Sequence, residues 1–395
     1  MIVPQNMDIL DFCPIQYPAD DLNSEVRTTH FSYKNLSGRM LKLDELGHTS
    51  PTIIRQLQEM TGIDPLKISF DDPETMEIFS GSASLKAKSE YSNSDDGSLG
   101  IPEFGTGFVR GMLKDTKPTS FAELVRISGL SHGTNVWLNN AQDLVRAGTI
   151  TLSQAICTRD DIMTFLIGKG MDKLHSFKTM EAVRKGRGIP EGMEEEMREH
   201  QVPEWYIESC QKIQYMFPKA HAAAYVMMSY RIAWFKVHSA AAFYATYYSQ
   251  RLSDFCTEYL FESLEAVQSH MKTMQEQADL LGEPVDSAKW TLLEVIEEML
   301  ARGYSFHRVD LLKSDAATFR IVDEWTVLPP LSALNDVSEA MAEQIVKERS
   351  RGEFISQSDL QKRTGVNKSG MQSLRDYGLL DGLAASNQMS FLAGF

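Results

Sequence analysis

The sequence predicts an α+β chain that is predominantly α-helical. Strand-like stretches are confined to the first 47 residues and to one short segment near residue 320. From Phe104 to about Tyr248 nearly everything has helical periodicity, broken only at glycine-bearing turns. The last patterned unit, residues 331–383, reads as two short helix–hairpin–helix patterns in tandem. With 395 residues, 43% of them hydrophobic and 24% charged, the chain has the composition of an ordinary globular protein of several domains.

Taken in order, MIVP, RTTHFSY and RMLKLDEL carry alternating or β-prone residues, with the Pro- and Asp-rich loop QYPADDLNSE between the first two. From Ser50 the pattern turns helical. Pro51 stands early, where its missing N–H costs little, and Ile53, Ile54 and Leu57 follow at helical spacing. Residues 80–100, SGSASLKAKSEYSNSDDGSLG, look too polar to build a core and predict a mobile loop. The long helical region breaks at GLSHGTN, GKG and KGRGIP. In HAAAYVMMSYRIAWFKVH, one helical face carries His221, Tyr225, Met228, Ile232 and Phe235. Helix continues to about Gly282 and again over KWTLLEVIEEMLARG, followed by the strand-like FRIVDEWTVLPPL. The final residues, AASNQMSFLAGF, form an apolar tail without periodicity.

Charge and cysteine usage bound the function. Cys13, Cys157, Cys210 and Cys256 lie far apart with no CxxC pair, which argues against a zinc knuckle or a disulfide framework and predicts a reduced, cytoplasmic setting. No apolar run is long enough for a membrane span. The formal net charge of -15 speaks at first against nucleic acid, but a basic groove can sit on an acidic body. Residues 165–187 hold six basic side chains (Lys169, Lys173, Lys178, Arg184, Lys185, Arg187) against two acids, Asp172 and Glu181. Taken alone, such a block describes a solvated face.

Several stretches, in order and covering nearly the whole chain, resemble one family. They are DFCPIQYPADDLNSEVRTTHF, LKLDELGH, IPEFGTGFVRGMLKDTKPTSFAELVRISGLSHGTNVW, DIMTFLIGKGM, VRKGRGIP, MFPKAHAAAYVMMSYRIAWFKVH, GEFISQSDL and GLLDGL. The resemblance is to the C-terminal part of the PolC-type replicative DNA polymerase III alpha subunit of low-GC Gram-positive bacteria. It implies the end of a polymerase palm at 1–62 and helical fingers at 63–255. A connecting segment at 256–328, a tandem helix–hairpin–helix domain at 329–385 and a clamp-binding tail at 386–395 follow.

The same resemblance implies the roles of particular residues. Nucleotidyl transfer uses two divalent ions, and Mg²⁺ takes hard oxygen ligands. In the family, three palm aspartates hold them, two in a D-x-D strand and a third in the LKLD segment. Asp44 matches the third, whereas no D-x-D occurs anywhere in this chain. Lys219, His221, Tyr225, His132 and Ser128 are the expected contacts to an incoming deoxynucleoside triphosphate, whose phosphates need cationic and N–H donors. Lys219 stands at a helix start, where the dipole favours an anion. Lys169, Arg184, Lys185 and Arg187 are expected to face primer-template DNA, with Arg110 and Arg126 as further candidates of the same kind.

In the tandem unit, backbone N–H groups would hold phosphates without reading bases. The first hairpin, LNDVS, lacks the family's glycine, so the second, with Gly365, Lys368 and Gly370, is the better contact. Gln388, Met389, Phe391 and Leu392 resemble a sliding-clamp peptide. The expectation is thus the C-terminal portion of a replicative polymerase, inactive alone, with the D-x-D aspartates either on a companion chain or in a part of a longer chain from which this one is truncated. The alternative is a non-catalytic, clamp-associated DNA-binding protein on the same scaffold.

Overall fold

The computed structural model of the chain describes residues 1–43 and 47–386. Asp44 and the tail residues Gln388, Met389, Phe391 and Leu392 lie outside the described residues. The chain divides into two compact units, Met1–Thr49 and Ser50–Phe395.

The first unit is loop-rich. Its two strands, β1 (Ile15–Gln16) and β2 (Thr28–Thr29), pair antiparallel with Ile15 opposite Thr29. A short helix, α1 (Tyr33–Leu36), follows. The strands expected at MIVP and RMLK amount to single bridges, Ile2 to Leu41 and Ser37 to Met40. Three apolar side chains, Cys13, Leu36 and Met40, are fully buried, with Val3, Ile9 and Phe12 packed around them. Too few apolar residues face inward to support longer strands.

The second unit is helical, as its periodicity predicts. Helix α2 (Thr49–Thr61), where the division falls, buries Ile53 and Leu57, and α3 (Pro73–Glu77) follows. Then come α4 (Gly107–Thr116), α5 (Phe121–His132), α6 (Gln142–Arg146), α7 (Arg159–Gly168) and α8 (Lys173–Val183). Next are α9 (Met193–Glu199), α10 (Glu204–Lys212), α11 (Lys219–His238) and α12 (Ala240–Ser249), the last buried on almost every side. Side-chain caps start many of these helices: Thr106, Ser120 and Asp172 accept from the first-turn N–H groups of α4, α5 and α8. Helices α13 (Leu264–Leu281) and α14 (Ser287–Ala301) lead into a small mixed sheet. In it β5 (Thr326–Leu328) lies between β3 (Ser305–Phe306), parallel, and β4 (Arg320–Asp323), antiparallel.

Three helices, α15 (Glu339–Arg349), α16 (Gln357–Thr364) and α17 (Lys368–Asp376), complete the described chain around a second apolar cluster that includes Leu331, Leu334, Ile345, Leu360, Met371 and Leu374. The leading helix of the first helix–hairpin–helix is one 3₁₀ turn, Leu331–Ala333. Among the described residues no helix is long and apolar enough to cross a membrane.

The serine-rich stretch corrects the sequence reading. It is not a detached loop but runs through the core: Leu85, Tyr91, Asp96, Ser98 and Leu99 are buried. Its backbone is held by Lys236, a wholly buried lysine on α11 whose Nζ donates to the carbonyls of Gly97 (2.8 Å) and Leu99 (2.6 Å) and to Glu298 Oε2 (2.8 Å). Burial pushes the Lys236 pKa down to about 8, against the pull of the Glu298 carboxylate. Tyr244 donates to Glu298, and Arg302 donates to the carbonyls of Leu85 and Lys236. Glu297 accepts from the backbone and hydroxyl of Ser92. Serines give little apolar area, so charged groups and main-chain hydrogen bonds anchor this segment instead.

Candidate functional site

Three of the stretches singled out by sequence meet around residues 213–218. After α5, the Thr134 N–H donates to the Tyr215 carbonyl (2.9 Å) and the Gln214 N–H to the Thr134 carbonyl (3.1 Å). The Met216 N–H donates to the carbonyl of Arg184, the residue that caps the end of α8 just before the KGRG loop (3.2 Å). Gly186 makes this last approach possible. Its φ is +68°, and a Cβ there would stand 2.5 Å from the Gln214 carbonyl oxygen. Helix α11 then begins directly after Pro218.

A run of aromatic rings lines the junction. Tyr215 and Phe217 are 5.3 Å apart, Phe217 and His221 4.9 Å, and His221 and Tyr225 4.3 Å. His132 joins this run at 5.4 Å from Phe217 and 5.6 Å from His221. Both of its ring nitrogens are engaged within the protein: Nε2 lies 2.9 Å from Glu103 Oε2 and Nδ1 2.7 Å from the Ser128 carbonyl. The hydrogen bond with Glu103 raises the His132 pKa despite burial, so the imidazolium form donates at both nitrogens. His132 therefore orients its neighbours rather than offering a donor to a ligand. Ser128 is buried at 1% exposure and works through its carbonyl.

Lys219 is half exposed at the start of α11. The anion at that helix terminus is Asp160, whose Oδ2 accepts the Lys219 N–H at 2.7 Å, while Lys219 Nζ stands 3.8 Å from Asp161. The Asp160–Asp161 pair thus serves two helix starts, since Asp161 also closes the capping box of α7 with Thr158.

The basic block is partly neutralised. Glu181 binds the guanidinium of Arg184 and, at 2.8 Å, the ammonium of Lys185, and these two partners hold its pKa down at about 2. Lys185, Arg187 and Lys169 are exposed, and Lys169 Nζ lies 5.7 Å over the Phe165 ring. Arg110 instead faces inward, donating to Asp96 (3.2 Å) and the Asn93 carbonyl (3.0 Å). Arg126 donates to the Ala155 carbonyl.

In the second hairpin Gly365 caps α16 with φ +69° and open space around it, and Lys368 is exposed at the first turn of α17. Gly370 differs. It is buried, its N–H is taken by Asn367 Oδ1 (2.8 Å), and a Cβ would stand 3.1 Å from the Asp336 carbonyl oxygen. Gly370 thus brings the two hairpins together and does not face a phosphate. In the first hairpin Asp336 itself adopts the left-handed conformation, φ 63°, that glycine would otherwise supply.

Glu103, Asp160 and Phe217 were not foreseen as site residues. Only Glu103's left-handed φ of 69° in IPEFGTG marks it as unusual, and that is a structural signal.

Comparison with known proteins places these features. Residues 50–203 match the bacterial DNA polymerase III alpha subunit finger domain, and residues 303–389 match a helix-hairpin-helix motif. DNA polymerase III PolC-type of Bacillus cereus is 51% identical over 99% of this chain and 27% of its own length. The protein of that name from Caldanaerobacter subterraneus is 50% identical over 99% of this chain and 28% of its own, and the one from Streptococcus mutans is 47% identical over 100% and 27%. The chain spans about a quarter of the length of the curated relatives it matches. Similar from end to end to proteins of that name, with a finger domain followed by a helix-hairpin-helix motif, the chain belongs to the PolC-type DNA polymerase III family.

Proposed function

We propose that this chain supplies the fingers and the duplex-holding end of a replicative DNA polymerase that adds deoxynucleotides to a primer 3′ end under template direction. The observation that carries this reading is the convergence of the SGLSHGTN turn, the KGRG loop and the FPKAH helix start on residues 213–218, in a chain similar throughout to PolC-type polymerases. Lys219, His221 and Tyr225 face the incoming deoxynucleoside triphosphate, backed by His132 and Ser128. Lys169, Arg184, Lys185 and Arg187 take DNA phosphates along the fingers, residues 63–255. Gly365 and Lys368 hold the primer-template duplex within residues 329–385, and Gln388, Met389, Phe391 and Leu392 engage a sliding clamp.

Two Mg²⁺ ions would activate the primer oxygen and stabilise the leaving pyrophosphate. The described residues do not make such a site: no three His, Cys, Asp or Glu side chains gather to hold an ion among them. One carboxylate, Asp44, is too few for a two-ion centre. The remaining ligands would come from polymerase sequence such as the relatives carry beyond the matched quarter, either in a longer form of this chain or on a companion polypeptide. Primer extension is the test. The purified chain should extend nothing alone and should extend a primer once that polypeptide is added, and Asp44→Ala should abolish extension by the pair. Extension by the chain alone would sink the companion requirement, and activity in Asp44→Ala would sink the ligand assignment. A pair that binds DNA and clamp without extending would favour the non-catalytic scaffold.

A further inference from the structure

A cavity of about 520 Å³ opens beside α7 and α10, away from the ring cluster at residues 213–218. Phe165, Trp205 and Tyr206 form one aromatic side of it. Phe165 and Tyr206 stack with centroids 4.1 Å apart and planes 14° from parallel, and Trp205 meets Tyr206 edge-on at 5.4 Å. Its cations are Lys169 and Arg126, and the exposed Thr164 stands at its mouth. Its one carboxylate is Asp161, which accepts from the Thr158 N–H and hydroxyl and is already committed to the start of α7. The polymerase reading gives Lys169 a DNA phosphate but assigns the aromatic rings of this cavity no role.

A half-buried aromatic wall with cations on its rim has the chemistry of a stacking platform for an unpaired base. Every base offers a π-face to the ring, and its phosphate pairs with the ammonium. The volume suits one nucleotide rather than a duplex, whose bases have no free faces. Asp161 also lies 3.8 Å from Lys219 Nζ, so the cavity adjoins the start of α11. We propose that this cavity binds an unpaired nucleotide of single-stranded DNA, its base against the Phe165–Trp205 wall and its phosphate at Lys169. That the strand is a template rests on the polymerase reading, but the binding itself does not.

The test uses the purified chain, fluorescein-labelled (dT)12 and a 12-base-pair blunt duplex, followed by anisotropy. Trp205→Leu should weaken (dT)12 binding about tenfold, within the range for one base-stacking ring. Lys169→Gln should weaken it and flatten the slope of log affinity against log salt by about 0.7. Thr164→Glu, at an exposed position that leaves the core intact, should weaken it in the same way even if the tryptophan variant proves unstable. Duplex binding should be unchanged in Trp205→Leu and Thr164→Glu, while Lys169→Gln should cost (dT)12 more than the duplex, since Lys169 also stands among the DNA-phosphate contacts proposed above. Parental (dT)12 binding by Thr164→Glu and Lys169→Gln, or losses on the duplex equal to those on (dT)12 in Trp205→Leu and Thr164→Glu, would overturn the proposal. Primer extension is scored separately, so failure of the polymerase reading leaves this result standing.

Discussion

At the scale of single residues, the most informative contact is the pair of Glu103 and His132. The carboxylate raises the histidine's pKa above the ordinary value of 6.5. A histidine whose folded pKa exceeds its unfolded value binds more protons in the native state. Its stabilising contribution is complete below the unfolded pKa and is lost as pH rises through the folded one. Stability should therefore fall as pH rises past the ordinary histidine value of 6.5 and through the raised folded one, by an amount that disappears in Glu103→Gln. Urea midpoints at pH 5.5 and 8.5 for the two proteins would measure it, and identical pH dependence in both would refute the coupling. The family resemblance offered His132 as a contact to the incoming nucleotide, whose phosphates need donors. It could not show that both nitrogens were spoken for, because Glu103 lies 29 residues away and only the fold brings it near. Lys219 was legible as a helix-start cation, yet its capping partner Asp160, 59 residues upstream, was not.

At the scale of elements, the KGRG loop depends on one glycine. Gly186→Ala would combine a left-handed backbone with a Cβ 2.5 Å from the Gln214 carbonyl, so the loop must move. Such strain and overpacking together cost about 1–3 kcal/mol. Thermal unfolding should show that loss, and binding of DNA should weaken because Arg184 and Lys185 move with the loop. A variant with the parent's melting temperature would mean that the loop already has slack. The helical elements were readable because 3.6-residue periodicity and caps are local signals, as in α7, α13 and α14. The serine-rich stretch was misread for the opposite reason. Its order comes from Lys236, Glu297 and Ala301, whose bonds to it span more than 130 residues of sequence. Composition registers the missing apolar area but not a distant ammonium that satisfies the backbone.

At the scale of the whole molecule, the net charge of -15 would have pointed away from nucleic acid, and the local basic block pointed toward it only once family likeness gave it a partner. The uneven distribution of core between the two units has a testable consequence. Among its described residues the first unit buries three apolar side chains in its core while Leu10, Leu22, Val26, Leu41 and Leu43 are exposed. A segment of 49 residues is near the size at which a single core ceases to sustain a fold, and this one hardly has a core. The second unit has its own extensive interior, from Ile53 to Ala333 and on through the helix–hairpin–helix cluster. Residues 1–49 made as a peptide should therefore show a coil-like circular dichroism spectrum, while residues 50–395 should still unfold in one cooperative transition. A cooperative transition from the peptide would show that the first unit is self-sufficient. If the peptide is coil, its exposed leucines offer an apolar surface on which the companion polypeptide proposed above could pack. Adding the companion polypeptide to the full chain should then protect Leu10 and Leu41 amides from hydrogen exchange, and unchanged exchange there would place the companion elsewhere.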